Sequence, residues 1–346
     1  MAYLDRVRFE SVYPILVQDM LEHAKGYNTP NEGIEWLRKN LEYNVLGGKC
    51  LRGMAVINTY AHVLGRELTK DEYEQAAKLG WLIELLQASL LVADDIEDGD
   101  EYRRDRPSWH MVPDVGMIAI NDACLLKCTL YVLLRQYFGH LPYYANLVEL
   151  FHETTVQTEL GQMLDLISAR RDKVDLSKFT VAKCERIAES KTAFYTVYAP
   201  ILLGLYLGGA ATPETIEQTR KIAIPLGRDY QYHDDYLDCF GTLHSFGKEI
   251  GRDIKDGKCT WPITQALVRA SPAQWAILQD NYGRDNPIKV KKVLNVLSDL
   301  QIPQIYQEYA KTAHATVQEE IMQIGSMGLN RGIFDDLVAV MYERQR

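Results

Sequence analysis

The apolar run from Leu82 to Val92 has only Glu84, Gln87 and Ser89 as polar interruptions, contains no Gly or Pro, and ends in Asp94-Asp95-Ile96-Glu97-Asp98. Helical periodicity reaches back to about Glu72, far too long for a strand, so the run predicts a buried helix. On it Asp94 and Asp98 share a face, about 6 Å apart along the axis, with Asp95 flanking them. Like charges at this spacing repel, and more strongly where water is scarce. A carboxylate cluster at the mouth of an apolar shaft therefore calls for a counter-charge. Mg²⁺ suits it, because that ion takes one or two carboxylates and completes its shell with water and phosphate oxygens. A lone copy of this spacing is equally well read as a solvated acidic helix end. The chain carries a second copy, Asp234-Asp235-Tyr236-Leu237-Asp238, again ending a long helical pattern. Two such motifs facing one cavity favour a metal–diphosphate site.

The rest of the composition asks for nothing exotic. With 346 residues, 47% of them hydrophobic and 25% charged, the chain can bury an ample core. No Ser/Gly/Pro-rich stretch or charge block marks a linker, so a single domain over 1–346 is expected. A net charge of −9 leaves no basic footprint for nucleic acid. Met1 to Arg6 lacks a signal pattern, and Ala199 to Ala211 is too short and Gly-rich to span a bilayer. Six scattered cysteines include no CxxC pair, and Cys124 and Cys128, on one helix face, read as core thiols. A reduced, cytoplasmic protein is expected.

Nearly every segment carries helical periodicity, and no alternating run reaches strand length. Helices are predicted near 5–25, 30–46, 51–65, 70–98, 113–138, 141–167, 177–188, 190–208, 213–239, 261–269, 272–281, 287–299, 303–325 and 331–344. Starts are marked by Thr29-Pro30 with Glu32, Thr69 with Glu72, Thr212-Pro213, and Ser271-Pro272 with Gln274. The expected fold is all-α, with long helices around a central cavity.

Several cations fall where an anion could use them. Gly47-Gly48 forms a turn before Lys49 and Arg52, which lie one turn apart at a helix start. Just past the first acidic motif comes Glu101-Tyr102-Arg103-Arg104-Asp105-Arg106, whose arginines match phosphate oxygens as forks. Their plain alternative is salt bridging within the loop. Lys191-Thr192 heads an apolar helix, where a lone buried lysine is costly, which makes a phosphate partner attractive. Gln231 precedes the second motif by three residues. Behind it, Phe246 to Trp261 is Gly-punctuated and of mixed charge, with Lys248 and Lys258, which suits a mobile lid.

Taken together these motifs resemble the farnesyl diphosphate synthase family of short-chain trans-isoprenyl diphosphate synthases, in its fungal form. The likeness runs from about Tyr13 to the C-terminus. It rests on the GGKxxRG turn, ELLQA–LVADDIED, Arg103-Arg104, GMIAINDA, HETT–QTELGQMLDL, DLSKF, KTAFY, DDYLDCFG and DIKDGKCTW. The resemblance implies that Asp94, Asp95, Asp98, Asp234, Asp235 and Asp238 bind the Mg²⁺ that holds an allylic diphosphate. It implies contacts from Arg103, Lys191 and Lys248 to that diphosphate, and from Lys49, Arg52, Gln87 and Arg104 to isopentenyl diphosphate. Thr192 and Gln231 would line the reacting centre and Lys258 would assist from the lid. A homodimer is implied as well.

Departures from the family pattern bear on the product. Ser89 and Leu90 stand where members that stop at fifteen carbons carry aromatics. Ser89 opens the floor of the chain-length pocket, while Leu82, seven residues earlier on the same face, refills part of it. Val197 and Ala199 are small. Leu51, His233, an extra residue at Glu249 and a less basic C-terminus from Tyr342 to Arg346 also depart, and suggest a specialised paralogue serving secondary metabolism. Farnesyl diphosphate is the expected product, with geranyl or geranylgeranyl diphosphate as the neighbouring outcomes. Two further readings compete: a terpene cyclase or lyase on the same scaffold, and a non-catalytic regulatory subunit. Lys49, Arg52, Gln87 and Arg104 speak against a cyclase, which has no second diphosphate to hold.

Overall fold

The computed structural model describes residues 5–169, 174–241, 250–324 and 329–343. The chain forms two compact units, one of residues Met1–Thr155, Tyr198–Thr219 and Ile324–Arg346, the other of Val156–Val197 and Arg220–Gln323.

The first unit holds α1 (Arg6–Glu10), α2 (Tyr13–Gly26), α3 (Asn31–Val45), α4 (Leu51–Leu64), α5 (Lys70–Asp98) and α6 (Ile118–Phe138), with the start of α7 (Tyr144–Ser168) and all of α9 (Ala199–Leu207). Pro14 lacks the N–H that would continue the predicted 5–25 helix, so the chain restarts there as α2. Helix α5 matches its predicted span and begins in the Thr69/Glu72 capping box. Leu79, Trp81, Leu82, Ile83, Leu85 and Leu86 are fully buried, so this helix is apolar all round, as a core helix must be. Among the described residues it alone is long and apolar enough to cross a membrane, but 72% of that stretch is already buried. Helices α4 and α5 cross at Gly53 and Gly80. A Cβ on Gly80 would meet the Gly53 carbonyl oxygen at 2.6 Å, so only backbone fits there. Helix α6 begins at Ile118 rather than near 113, because Asp114 (φ 70°) and Gly116 (φ 49°) turn the chain left-handed first.

A two-stranded hairpin, β1 (Tyr102–Arg103) and β2 (Arg106–Pro107), follows α5. It is too short to leave an alternating pattern in the sequence. Cys124 and Cys128 are exposed on α6, which corrects their reading as core thiols; they share a helix face, but it is the outward one.

The second unit holds the rest of α7, α8 (Val181–Ala188), most of α10 (Pro213–Phe240), α11 (Arg252–Asp256), α12 (Trp261–Arg269), α13 (Pro272–Asn281), α14 (Pro287–Asp299) and most of α15 (Ile302–Ile324); α16 (Gly332–Glu343) returns to the first unit. Between α8 and α9, Glu189–Tyr198 is a π-helix, a widened form that concentrates at functional sites. Its neighbours come unusually close. A Cβ on Gly161 of α7 would lie 2.2 Å from the Lys191 backbone nitrogen, and one on Gly227 of α10 would lie 2.5 Å from the Ala193 Cα. Tyr232, Tyr236, Trp261, Tyr306 and Tyr309 stack behind the second acidic motif.

Candidate active site

In the first unit the end of α5 carries three carboxylates with different surroundings. Gly99 at φ 68° stops the helix. Asp94 and Asp98 are half-buried and Asp95 is buried. The hairpin then folds back so that Arg103 donates from Nε to Asp95 Oδ1 at 2.8 Å and from Nη2 to Asp94 Oδ2 at 3.2 Å. Its Nη2 also bonds Asp95 and lies 3.5 Å from Asp100. Burial pushes the Asp95 carboxyl above its usual value, and Arg103 opposes this. The counter-charge demanded by the acidic cluster is thus supplied in part by the chain itself.

Arg104 and Asp105 form the two-residue turn between the strands, with φ of 55° and 60°. Both central residues at positive φ is the I′ geometry, which favours glycine or asparagine. Left-handed backbone costs a side-chain-bearing residue roughly 1–2 kcal/mol, more than the roughly 0.5–1 kcal/mol a glycine loses in freedom on folding. Asp105→Gly is therefore expected to stabilise the protein, seen as a higher denaturant midpoint at unchanged slope; a lower midpoint would contradict this. The turn seats Arg104 Nη1 on the Leu46 carbonyl at 2.8 Å. Gly48 makes room for it, since a Cβ there would lie 2.9 Å from Arg104 Nη2.

The Gly53–Gly80 crossing brings Arg52 of α4 beside α5. With its side-chain amide turned so that both ends are satisfied, Gln87 accepts from Arg52 Nη1 at 2.8 Å and donates to Glu84 Oε2 at 2.9 Å. Glu84 also accepts from the Gly53 amide at 2.9 Å, and burial pushes its carboxyl up, with Arg52 opposing. Lys49 is exposed at the same turn. Leu82 and Ser89 are both buried, Leu90 half so. The Ser89 hydroxyl donates to the Leu86 carbonyl at 2.8 Å, so it is satisfied by its own helix.

In the second unit the three carboxylates again differ. Asp234 is exposed. Asp235 is buried, accepting from Gln231 Nε2 and from the Trp261 amide, each at 2.9 Å. Burial, with Asp253 nearby, drives its carboxyl well above the usual range. Asp238 accepts from the Arg252 amide at 3.2 Å and the Asp253 amide at 3.1 Å, so it binds the first turn of α11. Thr192 Oγ1 donates to Gln231 Oε1, completing a chain from the π-helix through Gln231 to Asp235. Lys191 Nζ bonds Asp165 Oδ2 of α7 at 2.7 Å. Lys191 is thus not a lone buried cation, and Asp165 is a partner that sequence reasoning missed, four residues beyond Gly161 on the same face. Lys258 is half-buried, its amide bonded to the Asp253 carbonyl at 3.0 Å. Lys248 and Glu249 lie outside the described residues, as do Arg344 to Arg346.

The carboxylates fit a hard cation. Asp94, which also accepts from Arg103, and Asp98 stand one turn apart and half-buried at the end of α5, and Asp234 is exposed, whereas Asp95, Asp235 and Asp238 are buried and held by internal hydrogen bonds. Mg²⁺ asks for only one or two carboxylates and completes its shell from water and phosphate oxygens.

Comparison with known proteins identifies the family. The family model described as polyprenyl synthetase matches residues 34–300. The farnesyl pyrophosphate synthase of Saccharomyces cerevisiae is 43% identical over 345 residues, covering 99% of this chain and 98% of its own. That of Gallus gallus is 39% identical, covering 99% and 93%. The solved structure of T. brucei farnesyl diphosphate synthase complexed with minodronate superposes with a TM-score of 0.90 at 30% identity, covering 98% of this chain and 99% of that one. A family model spanning most of the chain, relatives aligned end to end and a shared all-helical fold make this chain a member of the polyprenyl synthetase family.

Proposed function

We propose that the chain is a prenyltransferase, acting as one functional domain, that condenses isopentenyl diphosphate with dimethylallyl or geranyl diphosphate to give farnesyl diphosphate. The observation that carries this is the presence of two cation sets. One, Lys49, Arg52, Gln87 and Arg104, accompanies the first acidic motif. The other, Lys191 with Thr192, Gln231 and Lys258, accompanies the second. A cyclase ionising one diphosphate has no use for both, and a non-catalytic subunit has no use for either.

Mg²⁺ held by Asp94 and Asp98 in the first unit, and by Asp234 in the second, would stabilise negative charge on a departing diphosphate. Asp95, Asp235 and Asp238 hold the motifs in shape. Lys191 and Arg103 would exchange their carboxylate partners for diphosphate oxygens. The hydrogen bond between Thr192 and Gln231 orients oxygen lone pairs that favour a developing allylic cation. Arg52, fixed by Gln87 and Glu84, anchors the second diphosphate so that the double bond of its substrate is the nucleophile. No side-chain nucleophile is needed.

The test is a product assay with Mg²⁺, isopentenyl diphosphate and each allylic diphosphate in turn. Prenyl alcohols of one length after phosphatase treatment support condensation, and their length reports whether Leu82 or Ser89 sets the pocket depth. A hydrocarbon formed without consumption of isopentenyl diphosphate would replace this reading with the cyclase. A product matching that of a housekeeping enzyme from the same cell would remove the case for a specialised paralogue.

The chain is further read as a homodimer. Val156, Leu160, Met163 and Ile167 of α7 are 46–52% exposed and fall at spacings of four, three and four, a single apolar stripe. A second copy covering it is the reading the family supports. Leu160→Glu with Met163→Glu is expected to halve the mass in sedimentation; an unchanged mass would move the interface elsewhere. Six unpaired cysteines fit a reducing, cytoplasmic setting.

A further inference from the structure

Arg106 is the one cation of the Arg103–Arg106 stretch with no role so far. It lies on β2, half-buried, with its guanidinium 4.1 Å from the centroid of the Tyr43 ring. Its Nη2 donates to the Tyr43 carbonyl and, at 3.2 Å, to the Leu46 carbonyl. Arg104 Nη1 donates to that same Leu46 oxygen at 2.8 Å. Two guanidinium ions therefore share one acceptor at the end of α3. Both abut the same turn: Arg106 Nη2 lies 3.8 Å from the Cβ position of Gly47, and Arg104 Nη2 lies 2.9 Å from that of Gly48. Both also line a shallow, solvent-open pocket with Arg103, Tyr43 and Trp109.

Like charges held this close repel, the more so away from bulk water. Burial lowers the tendency of Arg104 to stay protonated, the Glu84 carboxylate opposes this, and Arg103 and Arg106 lower it further. Among the described residues neither Arg104 nor Arg106 has a carboxylate partner. A helix C-terminus offsets part of this charge, but one shared carbonyl does not neutralise two cations. Arginine forks paired in this way match an anion with several oxygens.

We propose that Arg106 acts with Arg104 as a paired clamp on the diphosphate of the homoallylic substrate, a binding residue beyond the set assigned above. This rests on the prenyltransferase reading and names a further contact at that same site. Each guanidinium spends one nitrogen on the α3 carbonyls, which fixes its plane, and offers the others to the diphosphate.

The experiment compares Arg106→Gln, Arg106→Lys and Tyr43→Phe. For Arg106→Gln the KM for isopentenyl diphosphate is expected to rise about tenfold, with kcat and the allylic KM within about twofold, on the strength expected of charge-assisted hydrogen bonds. Arg106→Lys, which keeps charge but not the fork, is expected to fall between. Tyr43→Phe removes the 2.7 Å bond from the Tyr43 hydroxyl to the Pro107 carbonyl, loosening the same hairpin while keeping both cations, and is expected to raise the KM for isopentenyl diphosphate far less than Arg106→Gln does. An equal rise in both KM values, or a rise in Tyr43→Phe matching that of Arg106→Gln, would make Arg106 a structural brace and overturn the proposal. Titration with inorganic pyrophosphate keeps the two readings apart. If the parent protein does not consume isopentenyl diphosphate, the prenyltransferase reading fails, yet an about tenfold weaker pyrophosphate affinity in Arg106→Gln would still support the clamp. Unchanged affinity would sink it.

Discussion

Asp98→Asn and Asp234→Asn are each expected to cut the condensation rate about 10²–10³-fold, the range seen when one electrostatic stabiliser of a transition state is removed. Asp234 is exposed and Asp98 half-buried, so folding stability should change by no more than about 1 kcal/mol. The Mg²⁺ concentration giving half-maximal rate should rise in both. Asp238→Ala is expected to behave differently. It leaves the Arg252 and Asp253 amides without their side-chain acceptor, a loss of about 1 kcal/mol by analogy with helix caps. Its rate should fall about 10–100-fold, as for outer-shell groups, with a smaller change in Mg²⁺ requirement. Mg²⁺ titrations of the three variants, with melting curves, test the division. Three indistinguishable Mg²⁺ curves would mean that the buried and exposed carboxylates share one role.

Lys191→Ala is expected to damage both stability and rate. It leaves Asp165, whose side chain is 8% exposed, buried without its cation. Breaking one side of such a pair costs about 2–4 kcal/mol here, slightly under the fully buried range because Lys191 keeps some solvent contact. Replacing both partners, Lys191→Met with Asp165→Leu, should recover most of that stability, since apolar residues of similar volume often substitute well for a buried pair. It should not recover the rate if Lys191 changes partners to hold diphosphate. Denaturant unfolding and steady-state rates on the two singles and the double separate these effects. A double variant regaining both would show that the lysine serves folding alone.

Much of this was legible in the chain because it is encoded locally. The helix over 70–98 follows from a long apolar run without Gly or Pro between Leu82 and Val92 and a capping box only four residues long. The acidic motifs follow from spacing on one helix face. The hairpin escaped notice because two residues per strand cannot show a period, and the π-helix because Gly161 and Gly227, which pack closely against it, lie far from it in sequence. The exposure of Cys124 and Cys128 also eluded the pattern, since a helix with apolar residues on several faces does not say which of them is covered.

What the sequence determined by itself was the helix inventory, the pairing of two acidic motifs with two basic sets, and the family resemblance they carry. Tertiary structure alone decided which member of each set is committed and which is open. Asp235 is fixed by the amide of Trp261, 26 residues away, and Lys191 by Asp165, also 26 away. Tyr43 holds the hairpin at Pro107 from 64 residues away. Such contacts join elements whose separation along the chain leaves no local periodicity, and burial then converts small differences in position into different roles for chemically identical carboxylates.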